Sequence, residues 1–197
     1  MEKERRIKTL SLVALIVAVL GLTVAFASLS QTLTINGTAS VDAATWDIHF
    51  ANLSEAVVTG DAYVTTDPTI EAGSDGKANT VIGDYELVLT KPGDSISYTF
   101  DVTNAGTIDA SLSKLTKALT PTCSSNASVD EDATIVCDGL TYTLTYTDGG
   151  QTVSQGDVLN NGETKNMTLK LAYDSDKLPS DDVTISDLGI TLNYVQK

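Results

Sequence analysis

The 197 residues contain one histidine, His49, so any imidazole chemistry must run through it. A zinc peptidase of the His-Glu-x-x-His type needs two histidines on one helix face, and the chain cannot supply them. A Ser/His/Asp set would have to recruit His49 as base, and no Gly-x-Ser-x-Gly elbow presents a serine to it. His49 itself reads as a surface residue on the polar side of a strand. Carboxylates are the next candidates. "VDEDAT" (129–134) and "DSDKLPSDD" (174–182) bunch acids in polar segments. Calcium takes 6–8 oxygens from such loops. Asp174, Asp176, Asp181 and Asp182 are the candidate ligands, although neither stretch follows EF-hand spacing. The simpler expectation is two solvated acidic loops. Cys123 and Cys137 are the only cysteines. In an exported chain an even pair reads as a disulfide. It would be worth about 3 kcal/mol of chain entropy and would pin the loop 124–136 against the rest of the domain. The spacing is far from Cys-x-x-Cys, so no redox role is expected. Asn36, Asn52, Asn126 and Asn166 each begin an Asn-x-Ser/Thr sequon. No catalytic residue and no cofactor are expected.

The N-terminus sets the compartment. "MEKERRIK" is a basic head, and an apolar run from Leu10 to Ala27 follows, with small residues at Ala25 and Ala27. That is a secretory signal pattern with cleavage after Ala27. The run also reaches the lower edge of the ~17–25 residues that span a bilayer. Two outcomes fit: a cleaved signal peptide over 1–27, or an uncleaved anchor that holds the protein to the membrane through residues 10–27. In both, residues 28–197 form a single extracellular domain. A prepilin leader fits less well, because no Gly precedes the apolar run and no Glu sits early within it.

Formal net charge is −14, and the basic head makes the remainder more acidic still. Such a body repels nucleic acid and anionic membrane surfaces.

From Ser28 onward, period two dominates. "ATWDIHFANL" puts Ala44, Trp46, Ile48 and Phe50 on one side, with Trp46 expected in the core. "SISYTFDV" alternates Ile96, Tyr98, Phe100 and Val102. "LTYTLTYTDGG" and "NMTLKLAY" repeat the pattern, "TIDASL" continues it, and "ISDLGITLNYV" closes the chain with one more strand. Turn signals separate them at Pro92-Gly93-Asp94, Asn104-Ala105-Gly106, Asp148-Gly149-Gly150 and Asn160-Asn161-Gly162. Two polar stretches, 65–79 and 120–134, read as exposed loops, and no window outside the leader has a helical period. The expected fold is all-β: an antiparallel sandwich of Ig-like or jelly-roll type behind an N-terminal apolar helix.

The leader, the strand behind it and "KPGDSISYTFDVTNAGTIDASL" together resemble the TasA/camelysin family of exported β-sandwich proteins. The resemblance covers the leader and roughly residues 89–112. It implies a bacterial cell-surface or biofilm-matrix protein, in some members a fibre in which an N-terminal segment completes a neighbour's sandwich. By that analogy residues 28–41 are a donor strand, with Leu29, Leu33 and Ile35 as its apolar knobs and Gln31 interrupting the stripe. The same residues also read as the first strand of their own sandwich. A free sheet edge is a template for either outcome. Peptidase activity, implied for some camelysin-like members, has no support in these residues.

Three functions are in play. One is a structural cell-surface or extracellular-matrix protein that associates with itself or with matrix components. The second is a membrane-anchored module binding a glycan or calcium through its acidic loops. The third, an exported hydrolase, lacks a base.

Overall fold

The computed structural model describes residues 2–29, 34–83, 85–117, 121–125, 131–181, 183–186 and 188–197. The chain divides into two units, Met1–Asp42 and Ala43–Lys197. The first holds α1 (Glu2–Leu29). Leu, Val, Ala and Ile fill its middle, and Leu10, Leu12, Val13, Leu15, Ile16 and Val17 are all exposed, so the apolar surface runs round the helix rather than along one stripe. Among the described residues no helix is long and apolar enough to cross a membrane, a statement that does not reach the side chains of 23–29.

Residues 34–42 form neither helix nor strand. This differs from the expected first strand. Leu29 ends α1, Leu33 lies outside the described residues, and Ile35 is 97% exposed. A strand exists only where a neighbouring backbone takes its hydrogen bonds, and none does so here among the described residues.

In the second unit the strands are β1 (Ile48–Ala51), β2 (Val57–Thr59), β3 (Tyr63–Thr66), β4 (Ile70–Glu71), β5 (Val81–Ile82), β6 (Glu86–Val88), β7 (Ser95–Asn104), β8 (Ala110–Lys117), β9 (Thr122–Ser125), β10 (Leu140–Tyr146), β11 (Val158–Leu159), β12 (Thr164–Tyr173), β13 (Val183–Ser186) and β14 (Ile190–Gln196). One helix, α2 (Glu131–Gly139), precedes β10. Every pairing is antiparallel. The largest sheet runs β1-β7-β12-β10, with β2 also on β7; a second runs β11-β8-β14. Three ribbons, β9–β13, β3–β6 and β4–β5, complete the set.

β7 is the axis. Its Ile96, Tyr98, Phe100 and Val102 are buried while the residues between them are half-buried. β12 follows it for nine positions, pairing Met167 with Phe100 and Leu171 with Ile96. Phe100, Val102, Leu144 and Met167 of the first sheet share one core with Ala110, Leu112 and Leu159 of the second. Phe50 meets Phe100 edge-on, centroids 5.5 Å apart.

Both ends of β7 are fixed by a buried polar side chain. Asp94, fully buried, accepts bonds from the backbone N–H of Asp61, Thr90 and Lys91 and from the Thr90 hydroxyl. The turn before it places Gly93 at φ 91°, which favours glycine. Asn104, also fully buried, donates to the carbonyls of Ile108 and Leu159 and accepts from Gly106 N–H. A Cβ on Gly106 would lie 2.6 Å from the Thr45 carbonyl oxygen, so the chain can pass residues 45–47 only with glycine there. The Pro-Gly-Asp and Asn-Ala-Gly signals are therefore two clasps on one strand.

Four expectations need correction. Trp46 is 38% exposed and lies outside β1, because the chain at 45–47 hydrogen-bonds to the turn at 105–107 instead of entering the sheet. The stretch 120–134 carries β9 and the start of α2. The helix is nine residues long and buries Asp132, Ala133 and Val136, too few positions to show as a period. The closing "ISDLGITLNYV" is two strands: Ile185 and Ser186 belong to β13, and β14 starts at Ile190. The stretch 65–79 also contains β4.

Asn104→Ala strands two carbonyls and an N–H in a dry site. It should cost about 2–3 kcal/mol, read as a lower urea midpoint with an unchanged m-value. For Asp94, burial opposes the charge, but the hydrogen bonds outweigh it and hold the carboxyl at about 2, below its ordinary 3.8. A depressed carboxyl stabilises the fold above its unfolded value and loses that contribution as pH falls. Denaturation midpoints should fall between about pH 4 and pH 2. Asp94→Asn should be weaker at pH 7 yet show a flatter fall across that window.

Candidate functional site

The sequence-predicted residues do not gather. Asp174, Asp176 and Asp181 are exposed, and Asp182 lies outside the described residues. Among the described residues no group of three or more His, Cys, Asp or Glu side chains is placed to hold a metal ion. The acid that matters locally is Asp132 in the first turn of α2. It accepts bonds from Ser180 N–H, the Ser180 hydroxyl and Asp181 N–H, and these hold its carboxyl below the usual range. The two acidic stretches thus touch through a carboxylate that serves as a structural acceptor. His49 is half-buried rather than fully exposed, with Nδ1 2.9 Å from Asp47 Oδ1. Among the described residues no serine or cysteine bonds its ring, so the pair lacks a nucleophile.

Cys123 and Cys137 form a disulfide, Cα–Cα 5.9 Å. It joins β9 to α2, which packs on the β9–β13 ribbon. The crosslink therefore anchors the helix to its own ribbon. Asn52 and Asn166 of two sequons both donate to Asp101, at 2.7 Å each, from opposite sides of β7.

One concavity is not revealed by strand periodicity. A cleft of about 820 Å³ is lined from the first sheet by Phe50, Tyr98, Phe100, Val102, Leu144 and Leu169. β14 and its lead-in face them with Leu188, Ile190, Leu192 and Tyr194. Among the described residues none of β8 or β11 lines it; besides β14, Val81 and Ile82 of β5 and residues of the stretch 75–80 do. Trp46, His49, Asp75 and Lys77 also line it. Thr80, Thr191, Asn193 and several tyrosines add further polar groups. Tyr85 and Tyr142 bond to each other at 2.8 Å, and both reach the Leu188 carbonyl. Tyr98, 4% exposed, has a buried hydroxyl with no hydrogen-bond partner among the described residues. Burial, with Asp67 and Tyr85 adding to it, pushes that hydroxyl up to about 12. Burial likewise raises Tyr85 and Tyr142. All three stay protonated at neutral pH and can act as hydrogen-bond donors.

Comparison with protein-family models, curated proteins and solved structures returns no match.

Reducing the disulfide, or replacing Cys123 and Cys137 by Ser, should lower stability by about 3 kcal/mol. Amide exchange should rise first in α2 and β9, with β7 and β12 protected until global unfolding.

Proposed function

We propose that the chain is an exported structural protein of the cell surface or extracellular matrix, built as an Ig-like or jelly-roll-type sandwich, and that copies associate by strand exchange. One observation carries the reading. Residues 34–42 form neither helix nor strand and have no ladder partner among the described residues, and they expose Ile35 (97%) and Val41 (96%). Apolar side chains so exposed on an unpaired backbone gain from adding to a sheet edge. β14 offers such an edge, since β8 is its one partner among the described residues. Leu29 fits the donor role once residues 1–27 are removed, because a two-residue remnant of α1 cannot stay helical. The disulfide fits an oxidising compartment. The apolar girdle of α1 fits a secretory leader. The resemblance to the TasA/camelysin family points the same way.

The test is deletion of residues 28–41 from the exported protein, followed by electron microscopy and sedimentation. Filaments or oligomers that grow with concentration should vanish, while the monomer keeps its denaturation midpoint. Assembly that survives the deletion, or a wild-type protein that stays monomeric at high concentration, sinks the reading. N-terminal sequencing of the same sample should begin at Ser28.

A further inference from the structure

We propose that Asn36 is a self-modification site that loses its side-chain amide to attack by the backbone nitrogen of Gly37, while the fold keeps the chain's other Asn-Gly pair, Asn161-Gly162, from the same reaction. The deprotonated Gly37 nitrogen forms a bond to Asn36 Cγ, and the Cγ–Nδ2 bond breaks with release of ammonia. The ring so formed is a succinimide. Water, the one co-reactant, opens it at either carbonyl and leaves aspartate or isoaspartate; nothing is oxidised or reduced. Three conditions govern the step: the nitrogen must reach Cγ, it must give up its proton, and no side chain on the following residue blocks the approach. Asn36 and Gly37 meet all three. Both are exposed in the stretch 34–42, which forms neither helix nor strand, and neither is hydrogen-bonded among the described residues. Glycine carries no Cβ to hinder the attack.

The same dipeptide at 161–162 is held. The Gly162 N–H donates to the Asn104 carbonyl at 2.9 Å, so its proton is engaged. Asn161 is tied by its backbone N–H to Asp109 Oδ1 at 2.9 Å and by its side-chain amide to the Thr107 carbonyl at 3.3 Å. Cyclisation there needs the turn before β12 to open first, and that turn closes on Asn104, one of the two clasps of β7. The conversion at Asn36 has a further effect that rests on the strand-exchange reading: it retires the donor. Isoaspartate carries the main chain through Cβ and Cγ, so one extra backbone atom breaks the alternation within 28–41. Aspartate adds a charge to a chain already at −14. A copy whose residues 36 and 37 are held in a ladder is spared, so the reaction falls on unassembled copies.

The exported protein is held at pH 6 and at pH 9 and followed by peptide mapping with mass spectrometry, which reads the exchange of NH2 for OH at each asparagine. Because the nitrogen must lose a proton, conversion at Asn36 should be faster at pH 9, and there it should outrun Asn161 at least about tenfold. Gly37→Ala should slow it at least about tenfold. That variant should keep the parent's denaturation midpoint, since a Cβ at 37 meets nothing within 4 Å. Where filaments form, the converted chain should be depleted at least about threefold in the sedimented fraction. The proposal is overturned by an Asn36 amide that stays intact at pH 9, bare or glycosylated, by equal conversion at Asn36 and Asn161, or by a Gly37→Ala variant that converts as fast as the parent. Equal converted fractions in filament and supernatant overturn the effect on the donor alone. A protein that never assembles defeats strand exchange, while the rates at Asn36 and Asn161 still decide the modification.

Discussion

The second unit depends on how β7 is held at its two ends. A ten-residue strand with a buried face gains most of its stability from apolar contact, but contact is tolerant of slippage along the strand. A slip by one residue would turn Ile96, Tyr98, Phe100 and Val102 outward. Asp94 and Asn104 remove that freedom. Each is fully buried, and each closes a local turn while reaching a distant segment: Asp94 to the backbone of Asp61, Asn104 to Leu159. A misregistered strand would leave a carboxylate and an amide in apolar surroundings with their partners missing. Directional bonds thus set the register, and non-directional burial follows it.

The same frame explains the cleft. The first sheet offers a wide apolar face, and the second has three strands, one only two residues long. The narrower layer cannot cover the wider one. Phe100 and Val102 therefore contribute both to the closed core and to the lining of the open space. The cleft and the solid core are made from the same side chains, β8 backing the core while β14 and β5 wall the cleft.

Much of this was legible in the sequence, for a definite reason. Alternation over "SISYTFDV" and "NMTLKLAY" marks β7 and β12 because a central strand must present one face consistently. The cysteine pairing was legible because two cysteines admit one bridge. Trp46 was misleading. Its apolar neighbours at 48 and 50 continue the alternation, and only the backbone bonds from 45–47 to 105–107 show that the ladder has not begun there. α2 was hidden by its brevity and its acidic first turn, which reads as loop. The cleft was hidden because it arises from a difference in strand number between two sheets. The one local hint was the cluster of tyrosines on β7 and β10.

The register between β7 and β12 has a consequence in time. Asp101 lies opposite Asn166, so the central ladder cannot form until more than sixty further residues have left the ribosome or a translocation pore. Before that moment β7 can have β1 and β2 along one edge, while the edge that β12 takes stands open. A chain that folds so late can be threaded while still extended. The threading is also when it is most exposed to wrong pairing.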